Sequence, residues 1–313
     1  MPDYIYRDDR PIAQPSFRIL VYCLQPLANP AISNTMAELL DVFVSTYREE
    51  LAYIVISDDE RPMLGRHVDD DAIADARDWL ANATKPWPST CRLFSHINEE
   101  AQAITVPSYR AEQAADYCFL DMSVPADPQR VKDFADDVTD IIKDCPILYS
   151  VMGMGFFLPA SLESLETFLP RAYPRYKTAI EFMAEGARWG LHKEIGNFDW
   201  QGYPNATPGI PTIGWRTILA THYLNDLPNL ETVTQTPGVS LERTDNMAIV
   251  TAGDLPIWGD VNASEDISAY QAVAAALKPV RVHIEPALSG LFGSLRSDPQ
   301  GRDRLEAYLI RFD

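Results

Sequence analysis

The sequence contains none of the common catalytic motifs. It has no Gly-x-Ser-x-Gly elbow, no phosphate-binding loop and no His-Glu-x-x-His pair. Gly153-Met154-Gly155 follows an apolar, strand-like run but lacks the third glycine of a dinucleotide-binding loop, so a tight turn at a strand end is the better interpretation. We therefore expect no catalytic or cofactor-binding residues, no cofactor and no enzymatic activity.

Histidines could supply metal ligands or a general base. Three of them precede an acidic residue by two positions, but no second histidine stands at metal-ligand spacing from any of these three. Surface or half-buried histidine without a metal is the expected state. A hydrolase that uses His67 or His192 with Asp-rich segments stays open as an alternative. The five histidines are His67, His96, His192, His222 and His283.

The segment Gly259-Asp260-Val261-Asn262 resembles the start of a calcium-binding loop. Ser264 is acceptable as a further ligand, but no glycine occupies the sixth position, where such loops need a sharp turn. The pattern therefore favours a turn in which Asp260 caps the backbone that follows it.

Acidic stripes recur at helical spacing. One lies on a predicted helix over 128–143 and another on a predicted helix over 69–80, and a third acidic cluster follows a short strand. Like charges at these spacings cost a few tenths of a kcal/mol per pair, so stability alone does not favour them. Any one stripe is explained by a solvated face, but together they predict an acidic docking surface. Its residues are Asp58, Asp59, Glu60, Asp71, Asp75, Asp78, Asp133, Asp136, Asp137 and Asp140.

Two tryptophans are further candidates for partner binding. Trp87 lies between two prolines and Trp200 lies in a segment rich in Gly, Pro and Asn, so neither has helical apolar neighbours. Exposed aromatic residues are enriched in interface cores, although packing of a loop onto its own domain is the more common reason for such residues. Trp215, in contrast, is predicted to be a core residue.

The overall charge limits the possible partners. The 313 residues include 26 Lys and Arg against 45 Asp and Glu, which gives a net charge of −19. Such a field repels nucleic acid and anionic membranes, and it attracts basic proteins. The four cysteines form no Cys-x-x-Cys pair and are predicted to be reduced and buried. With neither a signal-peptide pattern nor a membrane-length apolar run, the expected location is the cytoplasm.

Hydrophobic periodicity predicts an α+β protein with mixed β-sheets flanked by amphipathic helices. Strands are expected at 17–24, 52–56, 91–97, 115–124, 148–157 and 280–284, and a hairpin at 239–252. Helices are expected at 33–47, 69–80, 128–143, 162–169, 174–184, 215–225, 268–277 and near the C-terminus, with a long loop at 190–211. The predicted organisation is an N-terminal α/β subdomain, 1–155, and a C-terminal α+β subdomain, 156–313, with one continuous domain as the alternative.

The last third of the chain resembles the type VI secretion system immunity protein family. The resemblance rests on Gly214-Trp215, Leu224-Asn225-Asp226-Leu227, Val239-Ser240-Leu241, the run Ala248 to Gly253, Pro256, Gly259-Asp260-Val261-Asn262, Tyr270, and the run Leu277 to Arg281. The matching stretch is 210–285. These are turn and packing residues, so the resemblance carries no binding residue over to this chain. Pro228-Asn229 stands where the family pattern leads us to expect a Gly-Gly-like turn, which affects a loop only.

The resemblance implies a protein that binds and silences a secreted toxin, and members of the family are linked to nuclease effectors. The acidic composition fits that expectation, because a nuclease presents a basic cleft to its substrate. The expected partner is a cognate effector toxin with a basic nuclease domain encoded by an adjacent gene. Nucleic acid and membranes are not expected partners. An adaptor or chaperone that delivers an effector is the other alternative.

Overall fold

The computed structural model describes residues 2–3, 5–7, 10–23, 25–58, 65–82, 89–95, 106–113, 118–157, 171–181, 209–281 and 301–313. The chain divides into two compact units, Met1–Met152 and Gly153–Asp313, which are described separately below.

The first unit is built on a β-sheet of antiparallel strand pairs in the order β2-β7-β6-β5-β3-β4, and β1 pairs with β2. Residues 149–152 of β8 also belong to this unit. Just before this strand, Leu148 N donates to Tyr22 O of β2. Strands β1, β4 and β6 were not predicted. The strands are β1 (Ile5–Arg7), β2 (Arg10–Cys23), β3 (Tyr53–Ser57), β4 (Gly65–His67), β5 (Ser89–Phe94), β6 (Ser108–Gln113), β7 (Cys118–Val124) and β8 (Tyr149–Phe157).

The three helices predicted for this unit are confirmed as α1 (Pro30–Tyr47), α2 (Asp70–Ala81) and α3 (Pro128–Ile142). Each begins after a residue whose side chain accepts a backbone N–H of the first turn. Asn29 caps α1, Asp69 caps α2 and Asp127 caps α3, and proline opens α1 and α3.

An aromatic cluster fixes these helices on one face of the sheet. Phe43 and Tyr47 of α1 contact Phe134 of α3, with ring centroids 6.5 and 5.3 Å apart. Tyr109 of β6 lies 5.6 Å from Phe43, and its hydroxyl donates to Met36 O at 2.9 Å. Because α1 also packs against α2, the outward faces of α1, α2 and α3 form one side of this unit.

The second unit contains the three-stranded order β10-β11-β9, again with antiparallel pairing. Its elements are β9 (Arg216–Ala220), α4 (Thr221–Leu224), β10 (Val239–Arg243), β11 (Met247–Ala252), α5 (Ser268–Ala276) and α6 (Gly301–Leu309). The hairpin of β10 and β11 and the helix at 268–277 are confirmed. The C-terminal segment buries Leu305, Tyr308, Leu309 and Phe312, as predicted.

Three element predictions in this unit are wrong within the described residues. The predicted helix 215–225 is a strand over 216–220, because Arg216–Ala220 is buried along its whole length and pairs with β11, and only Thr221–Leu224 is helical. Residues 174–181 form turns and isolated bridges instead of a helix. Lys278–Val280 is a 3-10 turn, and Arg281 makes only an isolated bridge with Ile210.

The predicted α+β class is confirmed. Among the described residues, parallel pairing is confined to isolated bridges, so the sheets are more uniformly antiparallel than predicted. The predicted helix 162–169 and nearly all of the loop 190–211 lie outside the described residues. Within the described ranges, no helix combines the length and apolar composition that crossing a bilayer requires.

Candidate functional site

The predicted acidic stripes lie on the outward faces of α2 and α3. On α3, Val131, Phe134, Val138 and Ile142 are buried against the sheet, which turns the aspartates at 133, 137 and 140 towards solvent. On α2 the aspartates at 71, 75 and 78 are exposed in the same way. Asp136 differs from the others, because it is only half-exposed.

Basic side chains neutralise part of these stripes. Asp75 pairs with Arg66 of β4 at 2.6 Å, Asp136 pairs with Lys132 at 2.7 Å and Asp140 pairs with Lys143 at 2.8 Å. Arg66 comes from a neighbouring strand, so helical spacing in the sequence gives no indication of that pair. These three carboxylates are therefore less available to a partner than the sequence suggests.

On helices α1, α2 and α3, five exposed carboxylates have no ion-pair partner among the described residues, and we call them the helical acidic face. Four were predicted from the stripes. Glu38 of α1 was missed, because it is the only carboxylate of its helix besides Asp41, which pairs with Arg77 of α2 at 3.0 Å. The helical acidic face consists of Glu38, Asp71, Asp78, Asp133 and Asp137.

Asp58 has a packing role that was not predicted. It is half-buried, and its carboxylate accepts a hydrogen bond from the indole Nε1 of Trp79 at 2.8 Å. This contact ties the end of β3 to α2, and the assignment of Asp58 to partner binding stays a prediction. Asp59, Glu60, Trp87 and Trp200 lie outside the described residues, and their assignment to partner binding stays a prediction.

A ladder of charged residues lies on the opposite face of the same sheet and was not predicted. Arg110 follows Tyr109 in β6, so its side chain points away from α1. Arg110 and Arg92 both pair with Glu112, at 2.5 and 3.3 Å, and Arg18 pairs with Asp121 at 2.7 Å. These pairs join β5 to β6 and β2 to β7, which fixes strand register rather than marking a site.

In the second unit, the carboxylate of Glu181 is buried, and its environment changes its titration. It accepts backbone N–H bonds from Arg171, Ala172 and Tyr173 at 2.9, 2.7 and 2.9 Å. Burial raises the pKa of Glu181 to about 7, although these N–H groups and the Arg311 guanidinium oppose the rise. Both carboxylate oxygens are engaged, so Glu181 fastens the 171–173 turn in place.

Two glycine-containing motifs of the sequence have structural explanations. Gly153 and Gly155 lie inside β8 and not in a turn. Position 155 requires glycine, because a Cβ there would meet the carbonyl oxygen of Ile180 at 2.5 Å. The predicted turn at Gly259-Asp260 is confirmed, since Asp260 Oδ1 accepts the N–H of Asn262 at 2.9 Å.

The described cysteines and histidines lie apart from any metal-binding cluster. All four cysteines are free and buried, as predicted. His67 is exposed beside Tyr53, with ring centroids 4.9 Å apart. Within the described ranges, no group of three or more His, Cys, Asp or Glu side chains is arranged to hold a metal ion.

Comparison with solved structures shows a likeness of fold. Pseudomonas aeruginosa T6SS protein PA0821 superimposes with a TM-score of 0.68 over 98% of this chain and 91% of its own. The two chains share a fold. They are 14% identical, so the likeness concerns architecture and not residues. No protein-family model matches the chain, and no curated protein matches it either.

Proposed function

We propose that this protein is an immunity protein that binds and neutralises a cognate type VI secretion effector toxin by direct protein–protein contact. The observation that carries the proposal is the likeness of fold to a T6SS protein over nearly the whole chain. The family resemblance of residues 210–285 points to the same system. In this proposal the protein acts in the cytoplasm and is not an enzyme.

The helical acidic face supports a basic toxin, in particular a nuclease domain. A nuclease must offer positive charge to a phosphate backbone, and five carboxylates without counter-ions on one side of the first unit complement such a surface. The net charge of −19 adds long-range attraction, which accelerates the encounter at low ionic strength.

The test is to co-purify the tagged protein with the product of the adjacent open reading frame and to measure DNA cleavage by that product. We expect a stable complex and suppressed cleavage. We also expect the association rate to fall as the salt concentration is raised about tenfold, from about 0.05 to about 0.5 M, a range that includes physiological ionic strength. A complex that still cleaves DNA would favour an adaptor or chaperone. The absence of a complex would overturn the immunity proposal.

A further inference from the structure

Three of the four cysteines meet in the core of the first unit. Cys23 ends β2 and Cys118 begins β7, and the two residues are directly opposite each other in this antiparallel pair. The Cys23 thiol is hydrogen-bonded to the thiols of Cys118 and Cys145, so the three sulfur atoms lie together. We call these three residues the thiol cluster. Each of them is at most 3% exposed.

The fourth cysteine lies outside the thiol cluster. Cys91 belongs to β5, which is two strands away from β7 in the order β7-β6-β5. Neighbouring strands are about 4.8 Å apart, so the Cα atoms of Cys91 and Cys118 are separated by about 10 Å or more. A disulfide joins residues whose Cα atoms are no more than about 7 Å apart. Cys91 is therefore a buried cysteine that serves as an internal control.

Cys145 differs from the other members of the cluster because it lies in a turn, which leads from α3 to β8. Three residues further on, Leu148 N donates to the carbonyl oxygen of Tyr22, the neighbour of Cys23. This bond holds the turn against the end of β2. Closing an S–S bond of about 2.05 Å between Cys145 and Cys23 therefore needs only side-chain rotation and a small shift of the turn.

Reactivity inside the cluster depends on access to solvent. The hydrogen bond to Cys118 raises the pKa of Cys23, the hydrogen bond to Cys23 raises the pKa of Cys145, and burial raises both. Both thiols are therefore protonated and react slowly while the fold is closed. Cys145 is the member nearest to solvent, because its neighbours Asp144 and Pro146 are exposed. A local opening of the turn exposes Cys145, whereas Cys118 is held in a strand that pairs with both β2 and β6.

We propose that the thiol cluster is an oxidation site at which hydrogen peroxide joins Cys145 to Cys23 in a disulfide. Cys145 gives its proton to water, and its thiolate attacks one peroxide oxygen. The O–O bond breaks, Cys145 becomes a sulfenic acid, and the departing hydroxide takes up a proton to form water. The Cys23 sulfur then attacks the Cys145 sulfur, so that the S–O bond breaks, the S–S bond forms and a second water leaves with the Cys23 proton. Two thiols are oxidised to one disulfide, and one peroxide is reduced to two waters.

The disulfide fastens an element that carries part of the helical acidic face. It joins the turn after α3 to the end of β2, and α3 carries Asp133 and Asp137. A bond between residues so far apart in the sequence restricts the unfolded chain, so it stabilises the folded first unit. The inference goes beyond the proposed function and does not depend on it, because it requires only the thiols and the oxidant.

The test exposes the purified full chain to hydrogen peroxide, blocks the remaining thiols with iodoacetamide in denaturant and maps the linked peptides by mass spectrometry. We expect one disulfide, between Cys23 and Cys145. Cys91 and Cys118 are expected to be alkylated. We also expect the melting temperature after removal of the peroxide to be about 2–8 °C higher than that of the reduced protein, and dithiothreitol to reverse this rise.

Alanine variants separate the members of the cluster from the control. Cys145→Ala is expected to lower the disulfide yield about tenfold or more, whereas Cys118→Ala and Cys91→Ala are expected to stay within about twofold of the wild type. A bond between Cys23 and Cys118, or any bond to Cys91, contradicts the inference. Oxidation without a disulfide, equal yields in all three variants or a melting temperature that does not rise contradicts it as well. If Cys145→Ala fails to fold, the peptide map of the wild type decides by itself.

Discussion

Glu181 shows how one buried residue can set the pH dependence of a whole unit. Its pKa is about 7 in the folded chain against an ordinary value of 4.5, so between these values the folded state binds the proton more tightly than the unfolded state. Stability that depends on this proton is therefore greatest at low pH and is lost as pH rises through about 7.

We compare the free energy of unfolding of the wild type with that of Glu181→Gln. We predict that the wild-type value minus the variant value falls by about 2–3 kcal/mol between pH 5 and pH 8. The amide oxygen of glutamine can still accept the N–H groups of Arg171 and Ala172, whereas its NH2 group cannot accept that of Tyr173, and the amide does not titrate. Urea denaturation of both proteins across this pH range measures the difference. Parallel pH profiles of the two proteins would show that Glu181 is not the titrating group.

Gly155 is required by the close approach of another backbone segment. A methyl group there would meet the Ile180 carbonyl, and the bonds Ile180 N to Met154 O and Phe156 N to Ile180 O hold that segment in place at 2.9 and 3.2 Å. We predict that Gly155→Ala lowers the free energy of unfolding by about 1–3 kcal/mol, because backbone cannot move aside as a flexible side chain can.

The matched control is Gly65→Ala in the exposed strand β4. A Cβ there would lie 3.6 Å from Val55 Cγ2, an ordinary contact, so we expect a change of less than about 0.5 kcal/mol. Equal losses for the two variants in the same denaturation experiment would contradict our account of Gly155.

At the scale of elements, α3 carries two kinds of carboxylate, those in ion pairs within the chain and those that are exposed without such a pair. Asp136 and Asp140 are paired with lysines of their own chain, whereas Asp133 and Asp137 are exposed without such partners among the described residues. The double variant Asp133→Lys with Asp137→Lys is therefore expected to keep the fold, since lysine is a good helix former.

We predict that this double variant binds the adjacent gene product about 10- to 100-fold more weakly, which corresponds to about 1.4–2.7 kcal/mol. Isothermal titration calorimetry measures the affinity. The control is Glu242→Lys with Asp245→Lys on the exposed hairpin of β10 and β11, which changes the net charge equally. If both double variants lose the same affinity, the effect is general electrostatic attraction and α3 is not the contact.

At the scale of the whole molecule, the net charge of −19 opposes compaction as well as attracting basic partners. Raising the ionic strength from about 0.01 to 0.15 M shortens the Debye length from about 30 to about 8 Å, which screens this repulsion. The exposed ion pairs lose little by the same change, because each contributes only about 0–1 kcal/mol.

We predict that the melting temperature rises by about 1–2 °C over this range, as expected for a gain of about 1 kcal/mol in a chain of 313 residues. Differential scanning calorimetry in sodium chloride measures it, and chloride is preferred because sulfate also strengthens apolar burial. A melting temperature that falls with added chloride would mean that attractive pairs outweigh the repulsion.

The sequence by itself determined the features that depend on neighbouring residues. Helices α1, α2 and α3, the hairpin across 244–246 and the turn at Asp260 follow from periodicity and local hydrogen bonding, so they were predicted correctly. The outward position of the aspartates at 133 and 137 followed from the same helical period.

Only the tertiary structure decided the features that depend on residues far apart in the chain. The segment 216–220 is a strand because it pairs with β11, and the lysine and arginine partners that remove Asp75, Asp136 and Asp140 from the acidic face could be identified only in the folded chain. The raised pKa of Glu181 also arises from packing. Burial and long-range pairing change the energy of a residue without leaving a local pattern in the sequence, and for that reason they appear only in the fold.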